Sequence, residues 1–159
     1  MRTGLRRLTL TLALVAAALG VDVGNAQAAS ATVGRWTQAA GISGSCFGGS
    51  ICNFGGSVSG ADCKEASGVS CSGTLAGVTT QGPASSCSGT GSTTFTYTST
   101  TLQSSRTIPV TVAMTSGVVS IDGSDGLLTV HATANIFCIP EVNWATSFGV
   151  PWSGVVSNA

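Results

Sequence analysis

Alternation of apolar and polar side chains is clearest in the last third of the sequence. Residues 127–137 (LLTVHATANIF) put Leu128, Val130, Ala132, Ala134 and Ile136 on one side, and Thr129, His131, Thr133 and Asn135 on the other; Cys138 continues the first set. A period of two marks a half-buried strand. Residues 118–121 repeat it, and the intervening Asp122-Gly123-Ser124-Asp125-Gly126 predicts a hairpin connection. Upstream, residues 107–115 (TIPVTVAMT) set Ile108, Val110, Val112 and Met114 against three threonines, Pro109 and Ala113. Proline has no N–H for a ladder, so Pro109 predicts an edge position or a bulge. Residues 93–101 (TTFTYTSTT) carry Phe95 and Tyr97 on one face of a threonine-rich strand.

Toward the N-terminus the pattern weakens. Residues 31–42 (ATVGRWTQAAGI) alternate just enough to predict a strand with Trp36 turned inward. Residues 57–63 and 69–75 predict two short strands, with Cys63 and Cys71 facing each other across a hairpin. Two similar blocks, Cys46-Phe47-Gly48-Gly49-Ser50 and Cys52-Asn53-Phe54-Gly55-Gly56-Ser57, are expected to be tight turns plugged by an aromatic ring. Neither carries the lysine or glycine spacing of a phosphate cradle. Pro140 ends the last strong strand pattern. Residues 143–153 (NWATSFGVPWS) are aromatic and turn-rich, and 154–157 could close the sheet as a short final strand. No segment beyond residue 28 combines helical periodicity with caps. The expected fold class is therefore all-β, an antiparallel β-sandwich or small β-barrel of about seven to nine strands. Its predicted core is Trp36, Ile108, Val110, Val112, Leu128, Val130, Ala134 and Ile136.

The first 28 residues belong to a different pattern. Arg2, Arg6 and Arg7 precede an uninterrupted uncharged run over 8–19, and Ala26-Gln27-Ala28 has the small-x-small form that signal peptidase cleaves after. Twelve residues of helix reach about 18 Å, short of the roughly 30 Å hydrocarbon core. The organisation expected is a signal peptide over 1–28 and one secreted, extracellular domain over 29–159.

Without that leader the charge balance turns slightly acidic. Arg35, Lys64 and Arg106 stand against Asp62, Glu65, Asp122, Asp125 and Glu141, a net charge of −2. So few cations cannot neutralise a run of phosphates, which argues against nucleic acid and against an anionic membrane as partners. All six cysteines lie beyond the leader: Cys46, Cys52, Cys63, Cys71, Cys87 and Cys138. An even number in an exported chain predicts a disulfide framework. The spacings lack the C-x₂₋₄-C pairs of zinc sites, so no metal or other cofactor is expected. The favoured pairing is Cys46–Cys52, Cys63–Cys71 and Cys87–Cys138.

Candidate chemistry is sparse. A nucleophilic hydrolase would have to use His131, the single histidine, with Asp122, Asp125 or Asp62 as its orienting acid. No G-x-S-x-G elbow supplies a nucleophile. The acids at 62, 65, 122 and 125 sit where turns are predicted, and Asp122 to Gly126 lacks the alternating oxygen ligands of a calcium loop. Trp144, Phe148 and Trp152 form the best binding candidate, as flat platforms for a sugar or protein surface. The same rings could instead plug the end of the sheet structure.

In its Arg-then-Ala/Leu leader, its Thr/Ser/Gly-rich strands and its late Phe137-Cys138-Ile139-Pro140, the chain resembles small, uncharacterised secreted β-rich proteins of high-GC Gram-positive bacteria. The resemblance is one of composition and layout; it implies secretion and carries over no activity and no site residue. The function expected is a non-enzymatic binding or surface-interaction protein that meets a protein or carbohydrate surface. The alternatives are a small hydrolase using His131, or an inhibitor- or toxin-like effector with a disulfide-braced loop.

Overall fold

A computed structural model describes residues 31–47, 51–83, 87–136 and 145–159. The expected signal peptide lies outside these residues. Eight strands follow in chain order: β1 (Thr32–Phe47), β2 (Ile51–Glu65), β3 (Ser70–Gln81), β4 (Gly89–Ser99), β5 (Ser104–Thr115), β6 (Val118–Ser124), β7 (Leu128–Asn135) and β8 (Ala145–Asn158). Each pairs antiparallel with its sequence neighbours, and β8 returns to pair with β1. The result is a closed up-and-down barrel, the second of the two expected architectures. Closure removes the sheet edges that would otherwise template aggregation.

Alternation decides what fills it. Along β7 every second residue from Leu128 to Ala134 is buried, while Thr129, His131, Thr133 and Asn135 point outward. Along β5, Ile108, Val110, Val112 and Met114 are buried and threonines line the outside. Apolar inside and polar outside is the inverse of a barrel embedded in lipid. All eight predicted core residues are buried. An eight-stranded barrel is just wide enough for side chains to fill its interior. Here the centre is aromatic: Trp36 stacks on Phe95 at 5.6 Å, and Trp152 packs against both. Other strands admit the rings by presenting glycine. A Cβ at Gly154 would overlap the Trp36 ring, one at Gly73 the Phe95 ring, and one at Gly34 the Tyr97 ring.

Several expectations change. The two glycine blocks are not separate turns. β1 runs through Phe47 and β2 starts at Ile51, so Cys46 pairs with Cys52 in direct register and the second block is strand. Glycine serves close approach here rather than turning: a Cβ on Gly44 or Gly56 would strike the backbone of the opposite strand. The short strands expected at 57–63 and 69–75 are pieces of strands of 15 and 12 residues. The aromatic segment expected to be turn-rich is strand from Ala145 onward, and the short closing strand is the end of β8. Asp122 belongs to β6, which continues through Ser124; the turn itself is confined to 125–127.

Pro109 sits in an unbroken β4–β5 register, so no bulge forms there. The β5–β6 register begins one residue later, at Val110. Pro151 repeats the arrangement, since the β7–β8 register ends at Trp152. Both prolines lie one residue beyond the end of the pairing with one neighbour, so the missing N–H costs no ladder bond on that side.

Two disulfides are present as expected, Cys46–Cys52 and Cys63–Cys71, at Cα separations of 4.1 and 5.0 Å. Closing so short a loop contributes about 2 kcal/mol each by the chain-entropy estimate. Cys87 is also disulfide-bonded; Cys138, its expected partner, lies outside the described residues.

Candidate functional site

The three rings put forward as a platform separate. Trp152 is 1% exposed and belongs to the aromatic core, where it plugs the barrel instead of facing a ligand. Phe148 lies on β8 opposite Gly44, its side chain outside the described set. Trp144 lies outside the described residues altogether.

His131 and Asp122 do come together. They are directly opposed on β7 and β6, and Asp122 Oδ1 is hydrogen-bonded to His131 Nδ1. This leaves Nε2 turned away from the acid, the orientation a general base needs. Both side chains are more than half exposed. Among the described residues no hydroxyl is hydrogen-bonded to the imidazole, so the pair has an acid and a base but no activated nucleophile. Asp125 does turn chemistry, as expected. Its carboxylate accepts from the Leu128 and Leu127 backbone N–H groups and pairs with Arg106 at 2.6 Å, and these contacts hold it at about 2. Among the described residues no group of three or more His, Cys, Asp and Glu could hold a metal ion.

Sequence reasoning missed the role of Glu65. Its place beside Lys64 and Ala66 suggests a turn acid, yet it continues the inward alternation of Cys63 and is buried at one barrel mouth. Its carboxylate accepts from the Thr100 N–H at 2.8 Å, the Thr101 N–H at 3.2 Å and the Thr101 hydroxyl. Ser99 completes the arrangement by accepting from Leu102 N–H at 2.9 Å. Burial pushes the Glu65 carboxyl up, but the hydrogen bonds from Ser99, Thr101 and Thr100 outweigh it and hold the group below its ordinary value. The cue available in the sequence was parity: Cys63 and Glu65 fall on the same face.

Below Glu65 lies Tyr97, 1% exposed, its hydroxyl without a hydrogen-bond partner among the described residues. Burial and the Glu65 charge push it up to about 12. A buried hydroxyl that finds no partner costs its full desolvation. Tyr97→Phe is therefore expected to leave stability unchanged or raise it by up to about 1 kcal/mol, measured by urea unfolding. A loss above that size would mean the hydroxyl is paired in solution. The cleft beside this mouth holds about 330 Å³, between Val33, Glu65, Ala66 and Leu102.

A second depression lies on the outer wall, where glycine and a bulge coincide. The β2–β3 register slips between Phe54↔Val78 and Gly56↔Leu75, so Ala76 and Gly77 together oppose Gly55. The Thr93 hydroxyl lies 3.3 Å from both the Ala76 and Gly77 carbonyls and caps the bulge. The resulting groove, about 410 Å³, is lined by Ser45, Asn53, Gly77 and Thr79, with Gly44, Phe54 and Val78 completing it. Ser45, Asn53 and Thr79 form one in-register row across β1, β2 and β3; Phe47, Ile51 and Gln81 form the next. Phe47 is half exposed and Ile51 is 39% exposed.

Comparison with known proteins finds no matching family model, curated protein or solved structure. The class defined is a closed, eight-stranded, disulfide-bonded meander barrel, and function has to be argued from its surfaces.

Proposed function

We propose that this protein is a secreted, non-enzymatic binding module that meets a protein or carbohydrate surface with the outside of its barrel. The observation that carries this reading is the filled interior. Trp36, Phe95, Tyr97 and Trp152 occupy the space in which other barrels hold a small ligand. A partner must then be met on the wall or at the mouths. The disulfides are compatible with an extracellular setting, and the wall is rich in uncharged threonine and serine.

A second reading, a small hydrolase using His131, draws on the His131–Asp122 hydrogen bond. Its weakness is that, among the described residues, no hydroxyl is bonded to the imidazole, and that both side chains stand more than half exposed to water. The two readings separate on turnover. Incubated with ester, peptide and glycan panels, the full chain secreted from its host is expected to give no product formation that His131→Ala abolishes. His131-dependent turnover of any substrate would replace the binding reading with the hydrolase.

A further inference from the structure

The groove on the outer wall has a chemistry of its own. Its central row offers the Ser45 hydroxyl, the Asn53 amide and the Thr79 hydroxyl, side by side on three strands. Thr79 donates its hydroxyl hydrogen to Asn53 Oδ1. That bond fixes the amide, leaving the Asn53 NH₂ to donate outward and the Thr79 oxygen to accept. On one side the row is bounded by the exposed apolar surface of Phe47 and Ile51. On the other the floor drops to Gly55 and the bulged Gly77; an added Cβ would meet nothing within 4 Å at Gly77, whereas at Gly55 it would lie 3.3 Å from the Leu75 carbonyl. No residue of these rows is charged.

We infer that this groove binds a neutral polysaccharide chain. A sugar ring presents an apolar C–H face and a rim of hydroxyls that both donate and accept. The groove matches each part: an aromatic and aliphatic row for the face, and a pre-oriented amide between two hydroxyls for the rim. Its lack of charge selects against carboxylated or sulfated polymers, whose anions would lose hydration with no cation in return. Neighbouring strands stand about 4.8 Å apart, so the row's three strands give a strip of short-oligosaccharide length. The bulge supplies the depth. With Ala76 and Gly77 opposite a single Gly55, the wall recedes, and the Thr93 hydroxyl shares its one hydrogen between their two carbonyls.

This inference rests on the binding-module reading and is tested so that the two can fail separately. The full secreted chain is run through native gels containing soluble neutral glucans (dextran, laminarin or hydroxyethylcellulose), with polygalacturonate as the anionic control. Retardation is expected in at least one neutral glucan and not in polygalacturonate. Gly77→Thr fills the groove from a position with open space, and Asn53→Ala removes the amide from an exposed site; each is expected to weaken retardation at least tenfold while leaving the circular dichroism and melting profile in place. Retardation equal in wild type and both variants would overturn the groove assignment. No retardation by any neutral glucan, with both variants weakening adhesion to a protein-coated surface, would overturn the glycan and keep the binding module. Depolymerisation of the glucan would overturn the binding module itself.

Discussion

Trp36→Ala is expected to lower the free energy of unfolding by about 4 kcal/mol, read as a shift in the urea midpoint at unchanged slope. The ring is 2% exposed, stacks on Phe95 and leans on Trp152 at 5.0 Å. Removing it takes away one of the two largest buried side chains at the barrel centre and leaves a cavity. Trp36 itself is paired on both sides, to Cys63 of β2 and Gly154 of β8, so the walls can close on the cavity only in part. The complementary change reaches the same contact from outside. Gly154→Ala would drive a methyl into the Trp36 ring, an overpacking cost of about 1–3 kcal/mol. Because the two positions share one contact, they should not add: Trp36→Phe combined with Gly154→Ala is expected to cost at least about 0.5 kcal/mol less than the sum of the single changes. Strict additivity, or a Trp36→Ala cost below about 1 kcal/mol, would mean that the centre is loosely filled and that a ligand could enter the barrel after all.

The same contact explains which parts of the fold were legible in the sequence. β5 to β7 could be read because apolar side chains fill every inward position from Ile108 to Ala134 except Gly123. The first half of the chain and β8 were legible only in part: the pattern shows strands at 31–42, 57–63, 69–75 and 154–157, but not their full lengths. In those strands the inward positions include Gly34, Gly73 and Gly154, which are empty so that rings from other strands can lie over them. To a pattern of apolar spacing such glycines look like breaks, and next to serine they look like turns. Cys46, Cys52, Cys63 and Cys71 were read for their bonding, although all four also occupy inward core positions. Among candidate sites, the His131–Asp122 pair was legible because nine residues of hairpin bring the two together. The groove was not, because it arises from a one-residue slip between β2 and β3, and register is a property of two strands that neither sequence shows alone. Trp152 misled for a related reason. In sequence it belongs to an aromatic segment, but in the barrel its inward parity is set by pairing with Ala134 on β7.

Glu65→Gln is expected to cost about 2 kcal/mol at neutral pH and to flatten the loss of stability in acid. The carboxylate accepts two backbone N–H groups and a hydroxyl from residues 100 and 101, and hydrogen bonds to a charged acceptor are the stronger kind. Glutamine has one oxygen with which to replace two, and its NH₂ group would face donors. The sign of the pH effect follows from the direction of the shift. A carboxyl held below its ordinary value stabilises the folded state fully above that value, near 4.5, and loses the contribution as pH falls through the folded value. Wild type should therefore lose its advantage over Glu65→Gln progressively below about 4.5, and the two should converge in strong acid. The variant keeps a shallower acid slope of its own, because Asp125, held at about 2 by the Leu128 and Leu127 N–H groups and Arg106, still has to be protonated. A second readout separates this charge effect from simple loosening of the loop. Tyr97 stands at about 12 because of burial first and the Glu65 charge second. Ultraviolet titration of Glu65→Gln should find the phenol lowered from that value yet still above an ordinary tyrosine. A phenol fallen all the way to the ordinary value would show that the mouth had opened to water, and that Glu65 acts as the clasp of the barrel end rather than as a charge set above a closed core.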